Sequence, residues 1–256
     1  MAINPDFRTY PGAGGAATQA AALDAGLRAY MMNVYNWMAS GLLLTGIVAY
    51  ACNAYLLDVF YPLTMTARGP MHVPGLLAYA AMFAPLAFVM VLSFGVNRLS
   101  ATSAKTIFWL FAAAMGASMM NIFLVYTGQS IVRVFFITSG TFAAMSIWGY
   151  ITRGDLSRMG SFLIMGLFGM ILAGLVNMFI GSSMMQFVIS MIGVLVFTGL
   201  TAYDTQRIKV SYLQSAYGGG YQDGGKQSVY DALSLYLNFI NLFMLILQLT
   251  GDRRSN

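Results

Sequence analysis

Two apolar stretches near the carboxyl end of the chain carry polar and acidic residues at regular positions. Leu195–Lys209 reads LVFTGLTAYDTQRIK, and Asp231–Gln248 reads DALSLYLNFINLFMLILQ. A carboxylate or amide is costly inside a lipid bilayer, so such residues in membrane spans usually face a bundle interior or a water-filled path. The two stretches therefore predict a pair of membrane helices that share a polar interior face.

The composition of the 256-residue chain is that of an integral membrane protein. Hydrophobic residues make up 59% of the chain and charged residues 8%, and the mean hydropathy is +0.71. A soluble domain carries about 25% charged residues. The basic residues are scattered between apolar stretches, so the net charge of +5 provides no stripe for nucleic-acid phosphates. We therefore expect the lipid bilayer as a partner, and no nucleic acid.

The supply of metal-ligating side chains argues against a metal enzyme. The chain has one cysteine, Cys52, one histidine, His72, and eight acidic residues that are all Asp. A zinc site of the usual kind needs several Cys or His ligands. Cys52 lies inside an apolar stretch, which predicts a small packing residue. We expect no cofactor, no resident metal ion and no enzymatic activity.

Seven apolar stretches follow one another between polar segments, and each is near the length of about 20 residues that crosses a bilayer as a helix. The predicted spans are Val34–Ala54, Val73–Asn97, Thr106–Tyr126, Val134–Ile151, Met159–Ile180, Met184–Asp204 and Val229–Thr250. The Ala- and Gly-rich residues 1–28 predict a flexible cytoplasmic tail, residues 29–251 the seven-helix transmembrane domain, and residues 252–256 a short tail. The segment Asp58–Gly75 contains three prolines and is predicted to be a loop.

The distribution of basic residues predicts the orientation of the chain in the membrane. With the N-terminus inside, nine of them fall on the inner side, namely Arg8, Arg28, Arg98, Lys105, Arg153, Arg158, Arg207, Lys209 and Lys226. The other four are outside, namely Arg68, Arg133, Arg253 and Arg254. An excess of Lys and Arg marks the cytoplasmic side, so we expect a cytoplasmic N-terminus. The Arg253–Arg254 pair fits better if the last segment re-enters and returns, which remains an alternative.

The polar residues of the last two spans lie in stripes. Residues three and four apart share one face of a helix, and this spacing relates Asp231, Ser234, Asn238, Asn241 and Gln248 in span seven. A shorter stripe in span six contains Thr198, Thr201 and Asp204. The Ser, Thr and Asn residues of these stripes could instead have a purely structural role, as partners in hydrogen bonds between helices. Such bonds contribute about 0.6 kcal/mol on average.

Asp204 is the strongest functional candidate in these stripes. An ionised carboxylate within the hydrocarbon costs on the order of 3 kcal/mol, so it requires a partner. Arg98, at the inner end of span two, is a candidate counter-charge, and Arg207 or Lys209 could pair with Asp204 at the membrane edge. Asp231 begins span seven, where a negative charge also favours a helix N-terminus electrostatically.

Two segments resemble the signature of a known family. Thr198–Lys209 reads TGLTAYDTQRIK and Ala232–Phe243 reads ALSLYLNFINLF, which is similar to the Bax inhibitor-1 family, the transmembrane BAX-inhibitor-motif proteins and their bacterial homologues. The resemblance implies an all-α fold of seven transmembrane helices, in which the C-terminal helix is central and wrapped by the other six. It also implies a pH-sensitive calcium leak, with transient calcium binding, in a bacterial inner membrane.

The same resemblance implies roles for individual residues. In such proteins two aspartates on spans six and seven share a proton, and an arginine on span two can pair with the first aspartate. Asp204 matches the first aspartate and Arg98 the arginine, whereas Asn238 stands where the second aspartate is expected. Two adjacent carboxylates cannot both ionise easily, and an Asp–Asn pair lacks that repulsion. We therefore expect weaker or more acidic pH gating, unless Asp231, about 10 Å from Asn238 by helix rise, supplies the second carboxylate.

Three other functions compete with an ion leak. A non-conducting regulator that binds another membrane protein, in cell-death modulation or in the control of a membrane protease, is the main alternative. An intramembrane aspartyl protease is disfavoured because the Gly-x-Gly-Asp motif is absent from the last span. A retinal-binding protein is excluded because Ala232–Gly251 contains no lysine for a Schiff base. The few acidic side chains of the interior predict a weak calcium site and not a tight oxygen cage.

Overall fold

The computed structural model describes residues 12–66, 69–95, 99–218 and 224–254, without the side chains of residues 12–20, 66 and 224. The elements in chain order are α1 (Gly12–Tyr55), α2 (Leu57–Phe60), β1 (Leu63–Thr66), β2 (Gly69–His72), α3 (Leu76–Gly95), α4 (Ala101–Met119), α5 (Ile122–Val125), α6 (Gly128–Ile151), α7 (Ser157–Ile180), α8 (Ser183–Tyr217) and α9 (Gly224–Thr250).

Seven helical segments among the described residues are long and apolar enough to cross a membrane. They are α1, α3, α4 together with α5, α6, α7, α8 and α9. A helix satisfies its own backbone hydrogen bonds where no water is available, which is why apolar stretches of this length form helices in a bilayer. The prediction of an all-α integral membrane protein with seven spans is confirmed. The last span is one continuous helix from Gly224 to Thr250, so the alternative of a re-entrant last segment is wrong.

The first helix begins earlier than expected. Residues 1–28 were predicted to be a flexible tail, but α1 already begins at Gly12, and residues 1–11 lie outside the described part of the chain. Alanine has the highest helix propensity, and five of the seven residues from 16 to 22 are Ala. Leu27 is buried in the core, so the predicted tail also supplies packing contacts.

The polar segment between the first two spans contains more structure than a loop. The strands β1 and β2 pair antiparallel, with Leu63 opposite His72 and Thr64 opposite Met71. The β1 side chains described are exposed, so this hairpin lies outside the helical core. Its two strands are too short to produce a clear alternation of polar and apolar residues, which is why the sequence predicted only a loop.

The break between the fifth and sixth spans is made by local hydrogen bonds. Gly181 ends α7 in the left-handed conformation, with φ 68°, which glycine adopts without a Cβ penalty. The Ser182 hydroxyl then accepts a hydrogen bond from the Met185 N–H at 3.3 Å and caps α8. The Asn177 side chain accepts the Ser182 N–H at 3.0 Å. These contacts divide a continuous apolar stretch into two helices.

The helix α9 is the most buried of the seven spans. It packs against α1, α4, α6 and α8, while α3 packs mainly on α4 and α7 on α8. Its Leu235, Tyr236, Leu242 and Leu247 are almost fully buried. The complete wrapping of the C-terminal helix by the other six, which the family resemblance implies, is not confirmed, since four helices provide the main contacts of α9.

The close approach of α1 and α4 at Gly116 yields a stability prediction. A Cβ at Gly116 would lie 2.6 Å from the Thr45 carbonyl oxygen and 2.8 Å from the Val48 Cβ. We expect Gly116→Ala to lower the thermal unfolding midpoint in detergent, at a cost of about 1–3 kcal/mol for overpacking. The matched control is Gly140→Ala in α6, where the added Cβ meets no atom within 4 Å. Equal midpoints for the two variants would contradict this packing.

Candidate functional site

The helices α8 and α9 bring Asp204 and Asn238 into contact. The Asn238 amide Nδ2 donates to Asp204 Oδ2 at 2.7 Å. Both residues are buried, with exposed fractions of 7% and 5%. The structure thus places side by side the two positions at which the family resemblance implies a proton-sharing pair. Because Asn238 is a neutral donor, it can bond an ionised Asp204 without a shared proton.

Arg207 supplies the positive charge beside Asp204. Its guanidinium lies 3.1 Å from Asp204 Oδ1, three residues along the same helix, and it also donates to the Ser234 hydroxyl at 3.2 Å. The Arg207 side chain is about half exposed, at 46%, whereas that of Asp204 is 11% exposed. Arg98, the other predicted counter-charge, lies outside the described residues. Lys209, the alternative partner for Asp204 at the membrane edge, instead donates a hydrogen bond to the Tyr150 carbonyl oxygen at 2.7 Å.

The structure contradicts one of the two roles that the sequence suggested for Asp231. The other, a second carboxylate for Asp204, stays a prediction, and α8 does extend past Asp204 to Tyr217. The helix α9 begins at Gly224 and has no acidic residue in its first turn, so the interpretation of Asp231 as a helix-terminus charge is wrong, since that effect falls off within one turn. Its Oδ2 accepts the Tyr30 hydroxyl at 2.5 Å, and its Oδ1 accepts the Gln227 amide at 3.1 Å. Asp231 therefore joins α9 to α1.

A cavity of about 780 Å³ runs along one side of α9; we call it the α9 groove. Its walls come from α3, α4, α7, α8 and α9. The polar residues that line it are Asp204, Arg207, Ser234, Asn238, Asn241 and Gln248. The predicted stripe of span seven thus faces a common cavity, apart from Asp231, which bonds to α1.

The two asparagines of the stripe are used differently. Asn238 is buried and bonds to Asp204, whereas Asn241 is exposed to the groove and its amide donates to the Leu237 carbonyl oxygen at 2.8 Å. The Thr201 hydroxyl likewise donates within its own helix, to the Phe197 carbonyl oxygen at 2.8 Å. Asn241 therefore offers its side-chain oxygen to the groove, while Thr201 has a structural role.

A second polar cluster surrounds Gln248, which also lines the α9 groove. Gln248 Oε1 accepts hydrogen bonds from the Gln186 amide at 2.9 Å and from the Ser190 hydroxyl at 3.0 Å. Gln248 also lines a separate cavity of about 480 Å³ that Arg253 borders. Gln186 and Ser190 are not part of the predicted polar stripe of span six, although their spacing of four places them on one helix face. The two cavities meet at Gln248.

The site offers few ligands for a resident metal ion. Within the described ranges, no group of three or more His, Cys, Asp or Glu side chains is close enough to hold one. Calcium takes six to eight oxygen ligands in its tight protein sites. Asp204 is the one carboxylate among the described residues that line the α9 groove, which is far from such a ligand set.

The family profile described as "Inhibitor of apoptosis-promoting Bax1" matches residues 27–255. The chain belongs to the Bax inhibitor-1 family. The match includes α1 from residue 27 onward and the six later spans, which agrees with the resemblance of the two signature segments. The protein is therefore a membrane protein of the Bax inhibitor-1 family.

Several bacterial proteins are similar to this Bax inhibitor-1 family member over nearly their whole length. An uncharacterized protein of Rickettsia prowazekii, RP147, is 43% identical over 232 residues, which cover 91% of this chain and 93% of the relative. The inner membrane protein YbhL of Escherichia coli K12 is 43% identical over 231 residues, covering 90% and 94%. An uncharacterized protein of Caulobacter vibrioides is 37% identical over 238 residues, covering 91% and 92%.

The contact between Tyr30 and Asp231 yields a second stability prediction. We expect Tyr30→Phe to lower the thermal unfolding midpoint in detergent, because a buried carboxylate loses a donor, which costs about 1–3 kcal/mol. Tyr55→Phe is the matched control, since Tyr55 ends the same helix with 84% of its surface exposed. If both variants unfold at the temperature of the unmodified protein, the Tyr30 hydroxyl does not support Asp231.

Proposed function

We propose that this protein is a cation leak in which calcium passes along the α9 groove and is controlled at Asp204. The observation that carries the proposal is the cluster of Asp204, Arg207 and Asn238 on a cavity lined by the polar stripe of α9. A buried carboxylate that faces a polar cavity within a membrane bundle is typical of an ion pathway. The activity proposed is transport and not catalysis.

The Asp204–Arg207 ion pair explains how such a leak would be held closed. In the arrangement described, the Arg207 guanidinium occupies the position beside Asp204 Oδ1 that a cation would take. Because Arg207 is half exposed, its charge can move toward water and leave the carboxylate to a passing cation. Asp204 alone provides one negative charge, so a divalent ion would be bound weakly and released readily, as conduction requires.

Replacing the two members of the ion pair should change calcium flux in opposite directions. In liposomes that contain the purified protein, we expect Asp204→Asn to reduce calcium flux by roughly tenfold or more, since the loss of about 1.4 kcal/mol of attraction for the ion is already a tenfold effect. We expect Arg207→Gln to increase flux, because the competing cation is removed. Arg158→Gln, an exposed charge at the start of α7, is the matched control.

The flux measurement separates the leak from its main alternative. Empty liposomes set the background, and a thermal unfolding scan of each variant shows that it is folded. Flux no greater than background for the unmodified protein, from mildly alkaline to mildly acidic pH, would contradict the leak and favour a regulator that binds another membrane protein. Flux that is unaffected by Asp204→Asn would place the pathway away from the α9 groove.

The neutral Asn238 yields a prediction about pH. We expect Asn238→Asp to move the midpoint of the pH dependence of calcium flux toward neutral pH, because two adjacent carboxylates share one proton. Asn241→Asp adds the same charge to the same groove at a residue whose amide bonds to Leu237 instead of Asp204. Flux is measured for both variants over a series of pH values. An equal shift for both would show a general charge effect and no specific pair.

We further propose that the protein lies in a bacterial inner membrane with its N-terminus in the cytoplasm. The support is the similarity to the inner membrane protein YbhL and the nine-to-four distribution of basic residues. Seven spans then place the C-terminus outside. Reporter fusions after Thr152, between α6 and α7, and at the C-terminus test this, since a cytoplasmic C-terminal reporter would overturn the orientation.

A further inference from the structure

A long apolar groove separates α1 from α6, and it shares no lining residue with the α9 groove. Three adjoining cavities form it, of about 660, 780 and 200 Å³. The first two share Met38, Ala39 and Phe142 as lining residues. The last two share Leu42, Gly46, Phe135 and Phe239. We call the whole feature the α1–α6 groove.

The α1–α6 groove has buried side chains at its base and is open on one side. Phe142 of α6 and Phe239 of α9 are buried beneath it, and the Tyr35 hydroxyl meets the Ser146 hydroxyl at 2.5 Å across its base. The lining residues Ala39 and Gly46 are small, and a Cβ added at Gly46 meets no atom within 4 Å. The space therefore results from a gap between two helices that are linked at their inner contact.

The occupant of this groove must be apolar over most of its length. Both α1 and α6 are membrane spans, so the open side of the groove faces the hydrocarbon of the bilayer. From Arg28 to Met38 the helix rises by about 15 Å, which is half of a hydrocarbon core about 30 Å thick. An acyl chain from one leaflet matches that depth and chemistry. The cavity volumes lie within the range of about 300–1,000 Å³ found for ligand pockets.

The end of the groove at Arg28 carries positive charge. Arg28 lines the cavity there, and its side chain is 73% exposed. It pairs with Asp24 at 3.0 Å, but an exposed pair of this kind contributes little, so a phosphate can compete for the guanidinium. Tyr150 lines the same end, and the Lys209 ammonium lies 5.1 Å from the centre of its ring. Arg28 is therefore the cation that lines this mouth of the groove, and a second cation, Lys209, contacts the lining residue Tyr150.

We propose that the α1–α6 groove is a binding site for an anionic phospholipid, with an acyl chain along Tyr35, Met38 and Phe142 and the headgroup phosphate at Arg28. Anionic headgroups are attracted to basic residues at the membrane edge. The site is separate from the α9 groove and does not depend on the proposed leak. Arg28 thereby gains a binding role in addition to its contribution to orientation.

Native mass spectrometry of the full-length protein tests this site. The protein is titrated in detergent with phosphatidylglycerol or phosphatidylcholine of the same acyl chains. We expect preferential retention of phosphatidylglycerol, and a loss of that preference by about fivefold in Arg28→Gln. Ala39→Phe fills the groove and should weaken binding of both lipids. The matched controls, Arg158→Gln and Ala87→Phe, change an exposed arginine of α7 and an exposed alanine of α3, and should leave binding unchanged.

The alternatives give distinct results. Equal retention of the two lipids by the unmodified protein would overturn the role of Arg28. Unchanged lipid binding in Ala39→Phe, verified as folded by thermal unfolding, would overturn the groove as the site. A third outcome is that the unmodified protein retains no lipid but forms a dimer, and that Ala39→Phe dissociates this dimer. That result would identify a second copy of the chain as the occupant and would likewise overturn the proposal.

Discussion

The burial of Asp204 is the constraint on which the arrangement of α8 and α9 depends. A carboxylate inside a membrane bundle is costly unless other groups compensate its charge. Arg207 does so from the same helix, and Asn238 does so from the neighbouring one. The Arg207 contact would persist in an isolated helix, whereas the Asn238 contact exists only in one register of α8 against α9. The buried charge thus helps to fix how the last two spans face each other.

Polar contacts also fix the position of α9 at other points along its length. Tyr30 holds Asp231 near one end, the Tyr236 hydroxyl meets the Thr45 hydroxyl at 2.7 Å, and Gln248 binds α8 near the other end. Lipid tails are as apolar as leucine, so the hydrophobic effect does not choose between helix registers within a bilayer. Directional hydrogen bonds make that choice here, and the apolar residues between them fill the remaining space.

The sequence predicted the membrane-spanning helices of this fold better than the side-chain contacts between them. Seven spans follow from hydropathy because a bilayer leaves the backbone few alternatives, and the contact of Asp204 with Asn238 agrees with the helical spacing and the family resemblance. The hydrogen bond from Tyr30 to Asp231 joins residues 201 positions apart, and nothing in the sequence around Tyr30 indicates a carboxylate partner. Likewise, the pairing of Arg207 depends on side-chain direction at a helix surface, which spacing alone does not determine.

The two grooves lie on different faces of α9, and adjacent residues separate them. Asn238 lines the polar α9 groove, while Phe239 forms part of the floor of the apolar α1–α6 groove. Successive residues of a helix point about 100° apart, since a turn contains 3.6 residues. A helix turns as a unit, so any rotation of α9 that draws Asn238 away from Asp204 must also change how Phe239 sits beneath the α1–α6 groove. The arrangement of α9 therefore links the environment of the buried carboxylate to the space that faces the lipid.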